Sequence, residues 1–281
     1  MTRLLDIDPQ GFSKVLGRTS MGVKHHLVDH PLLQRDRLAV LADELPATSV
    51  EHNLADLPLV AADGKVQAVD RKPGDIVRDL DDSGTWMVLK NIEQSPDYKR
   101  LLDELLDEVA PLVGDREGGM EGREAFLFLS APNAITPSHV DPEHNFLLQI
   151  AGLKHMNVGR FDDQTVEQRE LERVYGGGHR NIEQLPDSVQ TFTLNPGDGV
   201  YVRPDAPHFV ENGPAASISL SITWRTAVTR RTGRVHRANG RLRRAGISPS
   251  APGRRVRLDK MKAAVGRADA QLERVTQRLR G

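Results

Sequence analysis

Apolar and polar positions divide the chain into three textures. Up to about residue 95 the pattern is mixed. "LLQRDRLAVLADELP" places Leu38, Leu41 and Leu45 at helical spacing, and Pro46 ends the run. "GTWMVLKNI" reads as a strand of apolar and β-branched residues. "SPDYKRLLDELLDEVAPLV" predicts a helix: Ser95 caps it, Pro96 suits the first turn, and Leu101, Leu102, Leu105, Leu106 and Val109 form one stripe.

From about Ala125 to Trp224 short apolar runs alternate with Pro, Gly and Asn. "AFLFLS", "FLLQIAG", "HMNVGRF", "TFTL", "GVYVR" and "SISLSITW" each suit a strand, and "NPGDG" at 195–199 is a turn. Many short strands at close spacing predict an all-β sandwich or barrel. The third texture opens with a Gly/Arg/Pro-rich connector over 230–254. Leu258, Met261, Val265, Ala268, Leu272, Val275 and Leu279 then recur at spacings of 3 and 4, a heptad seam. The predicted organisation is therefore an N-terminal mixed α/β region (1–95), a β core with a leading helix (96–229), and a basic connector with a C-terminal helix (230–281).

Composition narrows the function classes. The chain has 281 residues and no cysteine, which excludes disulfides, thiolate metal sites and cysteine nucleophiles. No apolar run approaches the ~18 residues of a membrane helix, and "MTRLLDIDPQGF" lacks an apolar signal core, so a cytoplasmic location is expected. The net charge of -1 conceals a split. Residues 225–281 hold 17 Lys and Arg against 3 Asp and Glu, a balance of +14, and the rest of the chain balances at -15. Either the basic segment folds back onto the acidic body or it serves an outside partner. The heptad seam suits a homodimer through 258–279 as well as packing on the chain's own core. Nucleic acid is not the expected partner, because no recognition motif or aromatic stacking platform accompanies the charge.

The chemistry concentrates in "SHVDPEHNFLLQIAGLK" (138–154). In a strand, residues i and i+2 share a face, so His139 and Asp141 project together. His208, in "YVRPDAPHFVENG", follows the strand after the NPGDG turn, where a barrel returns to its first strand. Two histidines and one carboxylate on one face form the facial triad of non-heme Fe(II) oxygenases. Lys154, a cation at the far end of an apolar strand, needs an anionic partner if buried. A dicarboxylate that chelates the metal at one end and pairs with Lys154 at the other supplies it, and 2-oxoglutarate fits that span. The Thr136 hydroxyl is placed to reach the same distal carboxylate, and Asn145 the carboxylate at the metal.

These residues resemble a known family. "TPSHVDPEHNFLLQIAGLK" is similar to the Jumonji C, cupin-like branch of the Fe(II)/2-oxoglutarate oxygenases, and most of all to the group containing the asparaginyl hydroxylase of hypoxia-inducible factor. Thr136, His139, Asp141, Asn145, Phe146, Gln149, Ile150, Gly152 and Lys154 stand at that group's spacings. "PGDGVYVRPDAPHFVENG" is similar to its distal-histidine segment. The resemblance covers about residues 125–225. It implies a double-stranded β-helix (jelly roll), mainly β with flanking helices. It also implies Fe(II) at His139, Asp141 and His208, 2-oxoglutarate at Thr136, Asn145 and Lys154, and O2 as co-substrate. Where that hydroxylase has an asparagine toward the co-substrate, this chain has "SISLSITW", leaving Ser219, Ser221 or Thr223 as the replacement, with Ser221 preferred.

The expected activity is hydroxylation of a peptide or protein side chain, or of a small metabolite, coupled to decarboxylation of 2-oxoglutarate to succinate. Demethylation uses the same chemistry, and nothing in the sequence separates the two. The alternatives are a non-catalytic cupin-like metal sensor with a nucleic-acid-binding tail, and a zinc-dependent cupin enzyme. "HHLVDH" (25–30) is clustered enough to suggest a second metal site, but Pro31 follows at once and no fourth ligand is evident. "VYGGGHRNI" (174–182) is a Gly-rich insert suited to a loop over the active-site mouth, offering His179, Arg180 and Asn181.

Overall fold

A computed structural model describes residues 3–55, 57–61 and 70–278. The N-terminal third contributes β1 (Leu5–Asp6), α1 (Pro9–Val15), β2 (Met21–His25), α2 (Arg35–Glu44), β3 (Val50–Leu54), α3 (Pro73–Arg78) and β4 (Thr85–Leu89). Then come α4 (Pro96–Glu117), β5 (Glu121–Ser130), β6 (Ile135–Val140), β7 (His144–Ala151), β8 (Lys154–Arg160) and α5 (Gln164–Tyr175). The chain continues with β9 (Ser188–Leu194), β10 (Asp198–Val202), β11 (Pro207–Asn212), β12 (Ser217–Arg225), α6 (Ala227–Arg244) and α7 (Val256–Arg278).

The strands form two antiparallel sheets facing each other, a jelly roll. The larger runs β1-β2-β10-β7-β12-β5-β4-β3 and the smaller β6-β11-β8-β9. The strands of the N-terminal third therefore extend the edges of the core's own sheet, and its helices cover that sheet's outer face.

Strand alternation assigns each face. Ile218, Leu220, Ile222 and Trp224 of β12 join Phe146, Leu148 and Ile150 of β7 in the helix-covered core with Phe12, Leu38, Leu41 and Leu105. The intervening positions face the space between the sheets. There Leu147, Met156, Val158, Leu194, Val200, Val202 and Val210 pack with Phe128 and Phe192. The alternation of "SISLSITW" is thus a sheet with a greasy outer face and a hydroxyl-bearing inner one.

Three elements differ from the sequence reading. β6 and β11 are strands of their own, although Pro137 and Pro207 dilute their apolar pattern. His208 accordingly sits within a strand rather than after one. From residue 227 the expected connector is an 18-residue helix, α6. A reciprocal capping box between Thr226 and Thr229 starts it. Gly233 lets it approach the Tyr175 ring, where a Cβ would stand 2.3 Å from the ring carbon Cε1. The basic segment does fold back in part: Arg225 pairs with Glu143, Arg230 with Glu121 at 2.6 Å and Arg243 with Glu172 at 2.7 Å.

Of the heptad residues, the side chains of Ala268, Leu272 and Val275, and all of Leu279, lie outside the described residues. Asp259, Lys262 and Gly266 are buried on the near side of α7, while Met261 and Val265 are 67% and 59% exposed. No described helix is long and apolar enough to cross a membrane.

Candidate metal and co-substrate site

β6 and β11 are paired with His139 directly opposite His208, the ring centroids 4.1 Å apart. Asp141 lies one residue beyond the end of β6, and its Oδ2 stands 3.6 Å from Nε2 of both histidines. Among the described residues these three form the single group of His and carboxylate side chains close enough to hold one ion. Nδ1 of His139 meets the Pro137 carbonyl at 2.8 Å, and Nδ1 of His208 meets the Ala206 carbonyl at 2.9 Å. A carbonyl accepts only, so Nδ1 carries the proton and the Nε2 lone pair is left to a metal. Burial, then the neighbouring His139, pushes His208 down to about 4, which keeps it neutral and able to ligate. Burial also opposes the charged forms of His139 and Asp141. Their mutual attraction overrides it, raising the histidine and depressing the carboxylate. The donor set fits a divalent cation bound by two imidazoles and one carboxylate.

Lys154 opens β8 rather than ending β7, because the chain turns between them at Gly152 (φ +73°). A Cβ at Gly152 would stand 2.3 Å from the Ala216 carbonyl oxygen, so glycine is required. The turn sends Lys154 into the space between the sheets, 2% exposed, with its Nζ 5.9 Å from the centre of the Phe128 ring. Among the described residues it has no carboxylate or hydrogen-bond partner. Burial pushes its ammonium down to about 7.

The other expected contacts gather on the same inner walls. Thr136 Oγ1 accepts from the Trp86 indole at 3.1 Å, which leaves its own hydrogen free to donate. Ser221 donates to Asn145 Oδ1 at 2.8 Å, and the Asn145 Nδ2 group is left available to another acceptor. Ser219 instead donates to Gln149 Oε1 at 2.6 Å, and Gln149 Nε2 holds the Ala151 and Gly152 carbonyls and the Ser217 hydroxyl. Of the three open hydroxyls, Ser221 is the one that orients Asn145, and Ser219 braces the turn before Lys154.

Two participants escaped sequence reading: Phe128 and Trp86 belong to apolar runs with no distinguishing signal. Arg180 sits in the Gly-rich insert expected as a loop over the active-site mouth, and that insert is strapped down rather than open. Val140 N–H donates to the Arg180 carbonyl and Ile182 N–H to the Ser138 carbonyl, so 180–182 lies along β6. Arg180 reaches Asp141 Oδ1 at 2.7 Å. The histidine-rich stretch near the N-terminus makes no ligand cluster: His25 meets the Gln149 carbonyl, His26 pairs with Asp6, and His30 caps a short helical turn.

Residues 123–231 match the family model of the JmjC domain. The chain carries a JmjC domain. Its fold is also that of solved structures from Escherichia coli. The X-ray structure of ycfD is 17% identical with a TM-score of 0.56, covering 96% of this chain and 69% of that one. YcfD described as a ribosomal oxygenase in complex with cobalt and 2-oxoglutarate is 15% identical with a TM-score of 0.53, covering 96% and 68%. The same protein with cobalt and succinic acid is 15% identical at 0.50, covering 96% and 68%. At these identities the likeness is one of fold, and it extends over the helices flanking the JmjC domain. No curated protein sequence matches the chain. The cupin-like jelly roll read from "SHVDPEHNFLLQIAGLK" and the family it resembles are both borne out.

Proposed function

We propose that this protein is an Fe(II)- and 2-oxoglutarate-dependent oxygenase that hydroxylates a side chain of a protein or peptide. The observation that carries the reading is the unpartnered Lys154 ammonium on the same interior wall as His208. A buried cation costs several kcal/mol unless an anion joins it. A zinc cupin or a metal sensor gives it no anion; a dicarboxylate co-substrate does.

Iron and 2-oxoglutarate, once bound with O2, supply the oxidising chemistry, and succinate and CO2 are the by-products. The protein's share is binding and orientation. His139, His208 and Asp141 would hold the metal through three donor atoms that lie within 4.8 Å of one another. Lys154 and the Thr136 hydroxyl would hold the distal carboxylate of 2-oxoglutarate, and the Asn145 amide, fixed by Ser221, would hold its other carboxylate. Leu147, Val200, Val202 and Val210 keep the interior apolar, which strengthens each of these charge interactions.

A protein substrate is favoured because the similar E. coli structures are described as a ribosomal oxygenase. A cytoplasmic location agrees with that and with the lack of cysteine. We further propose self-association through α7, since Met261 and Val265 continue the heptad seam on its outer side.

The test is succinate formation from 2-oxoglutarate by anaerobically iron-loaded protein on admitting air, beside His139→Ala. Succinate from the wild type alone supports the oxygenase. Absence of turnover together with Lys154-independent 2-oxoglutarate binding would sink it.

A further inference from the structure

The Asp141 carboxylate is divided between two tasks. Oδ2 points at the two Nε2 atoms, and Oδ1 accepts from Arg180 Nη1 at 2.7 Å. The same guanidinium faces Glu143 at 3.4–3.5 Å, and Glu143, 4% exposed, also pairs with Arg225 through Oε1. Arg180 is delivered by a segment with little freedom. Its backbone pairs with β6, Ile182 is fully buried, and Arg173 grips the His179 carbonyl at 2.8 Å and the Asn181 carbonyl at 2.5 Å. Asn181 in turn donates to the Ala61 carbonyl at 2.6 Å.

We infer that Arg180 is a positioning residue for the proposed iron centre: it occupies Oδ1 of Asp141 so that the carboxylate ligates through Oδ2 alone. Asp141 lies just past the end of β6, where the Asp205 N–H holds its carbonyl at 2.8 Å, but that backbone bond leaves the carboxylate free to turn about its side-chain torsions, so another contact must set them. A carboxylate free to turn could take a metal through both oxygens and fill a position the co-substrate needs. A guanidinium matches this task because its planar fork holds two carboxylates at fixed angles. Its charge would repel a metal dication, but Glu143 offsets that charge, so the orienting effect prevails.

The inference rests on the metal centre proposed above, and titration of metal-free protein with Co(II), followed by calorimetry and visible absorption, separates the two. Wild type that binds Co(II), with no binding by His139→Ala, upholds the centre. Arg180→Ala is then expected to bind Co(II) about 10–100-fold more weakly, with altered Co(II) band intensities as the carboxylate changes its mode of ligation. Arg180→Lys keeps the charge but cannot bridge both carboxylates. It is expected to fall between wild type and alanine, and it serves as the test if the alanine variant does not fold. Metal affinity in Arg180→Ala equal to or tighter than wild type would overturn the inference and leave the centre standing. Lysine affinity equal to wild type would do the same. Failure of the wild type to bind would remove both.

Discussion

Lys154 and His208 project from neighbouring strands onto one interior wall, two cross-strand steps apart. In the register of β8 with β11, His208 faces Val158, Val210 faces Met156, and Asn212 faces Lys154. At roughly 3.3 Å per residue the four steps from 154 to 158 span about 13 Å. The lysine chain and a five-carbon dicarboxylate together would be long enough to fill that distance.

Lys154 should trade stability for binding. Below about pH 7 the folded and unfolded chains both carry the charge, and the full cost of burying it is present. Between about 7 and the ordinary 10.5 the folded protein sheds its proton while the unfolded chain keeps it, so stability rises with pH there. Lys154→Met is therefore expected to raise the Tm of the free protein most below pH 7, with the gain shrinking toward pH 10. The same variant should lose 2-oxoglutarate binding. Thermal melts across that range check the first expectation, and calorimetric titration the second.

Binding of 2-oxoglutarate should itself depend on pH. The distal carboxylate needs the protonated lysine, so affinity is expected to fall as pH rises through about 7, with proton uptake on binding above it. Titrations in buffers of different ionisation enthalpy measure that uptake. No proton uptake at pH 8 would exclude Lys154 as the partner.

Ser221→Ala removes the donor that fixes Asn145 and leaves a buried amide oxygen unpaired, a cost of about 1–3 kcal/mol. We expect a lower Tm and a Kd for 2-oxoglutarate about tenfold higher. Ser219→Ala should instead disturb the Gln149 brace, and a larger loss of affinity there than at Ser221 would reverse the assignment.

Metal should stabilise the fold by binding only its folded form. At a free Co(II) concentration of 100 Kd the gain is about 2.7 kcal/mol, and a chelator should return the Tm to its starting value. His208→Ala is expected to show neither change in a differential scan.

Met261→Glu places a charge on the exposed side of α7. If that side joins two copies, light scattering should show wild-type dimer converting to monomer, with the Co(II) affinity of each protomer unchanged.

Sequence alone carried the fold class and most of the candidate site, because both rest on local rules. The period of two in "SISLSITW" fixes which side chains meet the core. The short spacing from Thr136 to Lys154 places most of the candidate ligands, His208 excepted, within one stretch of chain. The apolar strands were legible where their runs were clean and missed where prolines broke them, as in β6 and β11. The helix α6 was missed because glycines and arginines look like a connector until Tyr175 and Glu172 are there to pack against.

What only the tertiary structure decided are the relationships between distant segments. His208 meets His139 through a register that no single strand encodes, and Ser221 rather than Ser219 meets Asn145 for the same reason. Arg180 reaches Asp141 because an insert 39 residues away folds back along β6. Patterns along a chain specify faces and turns; which faces meet, and which charges are left without partners, is settled by packing across the whole molecule.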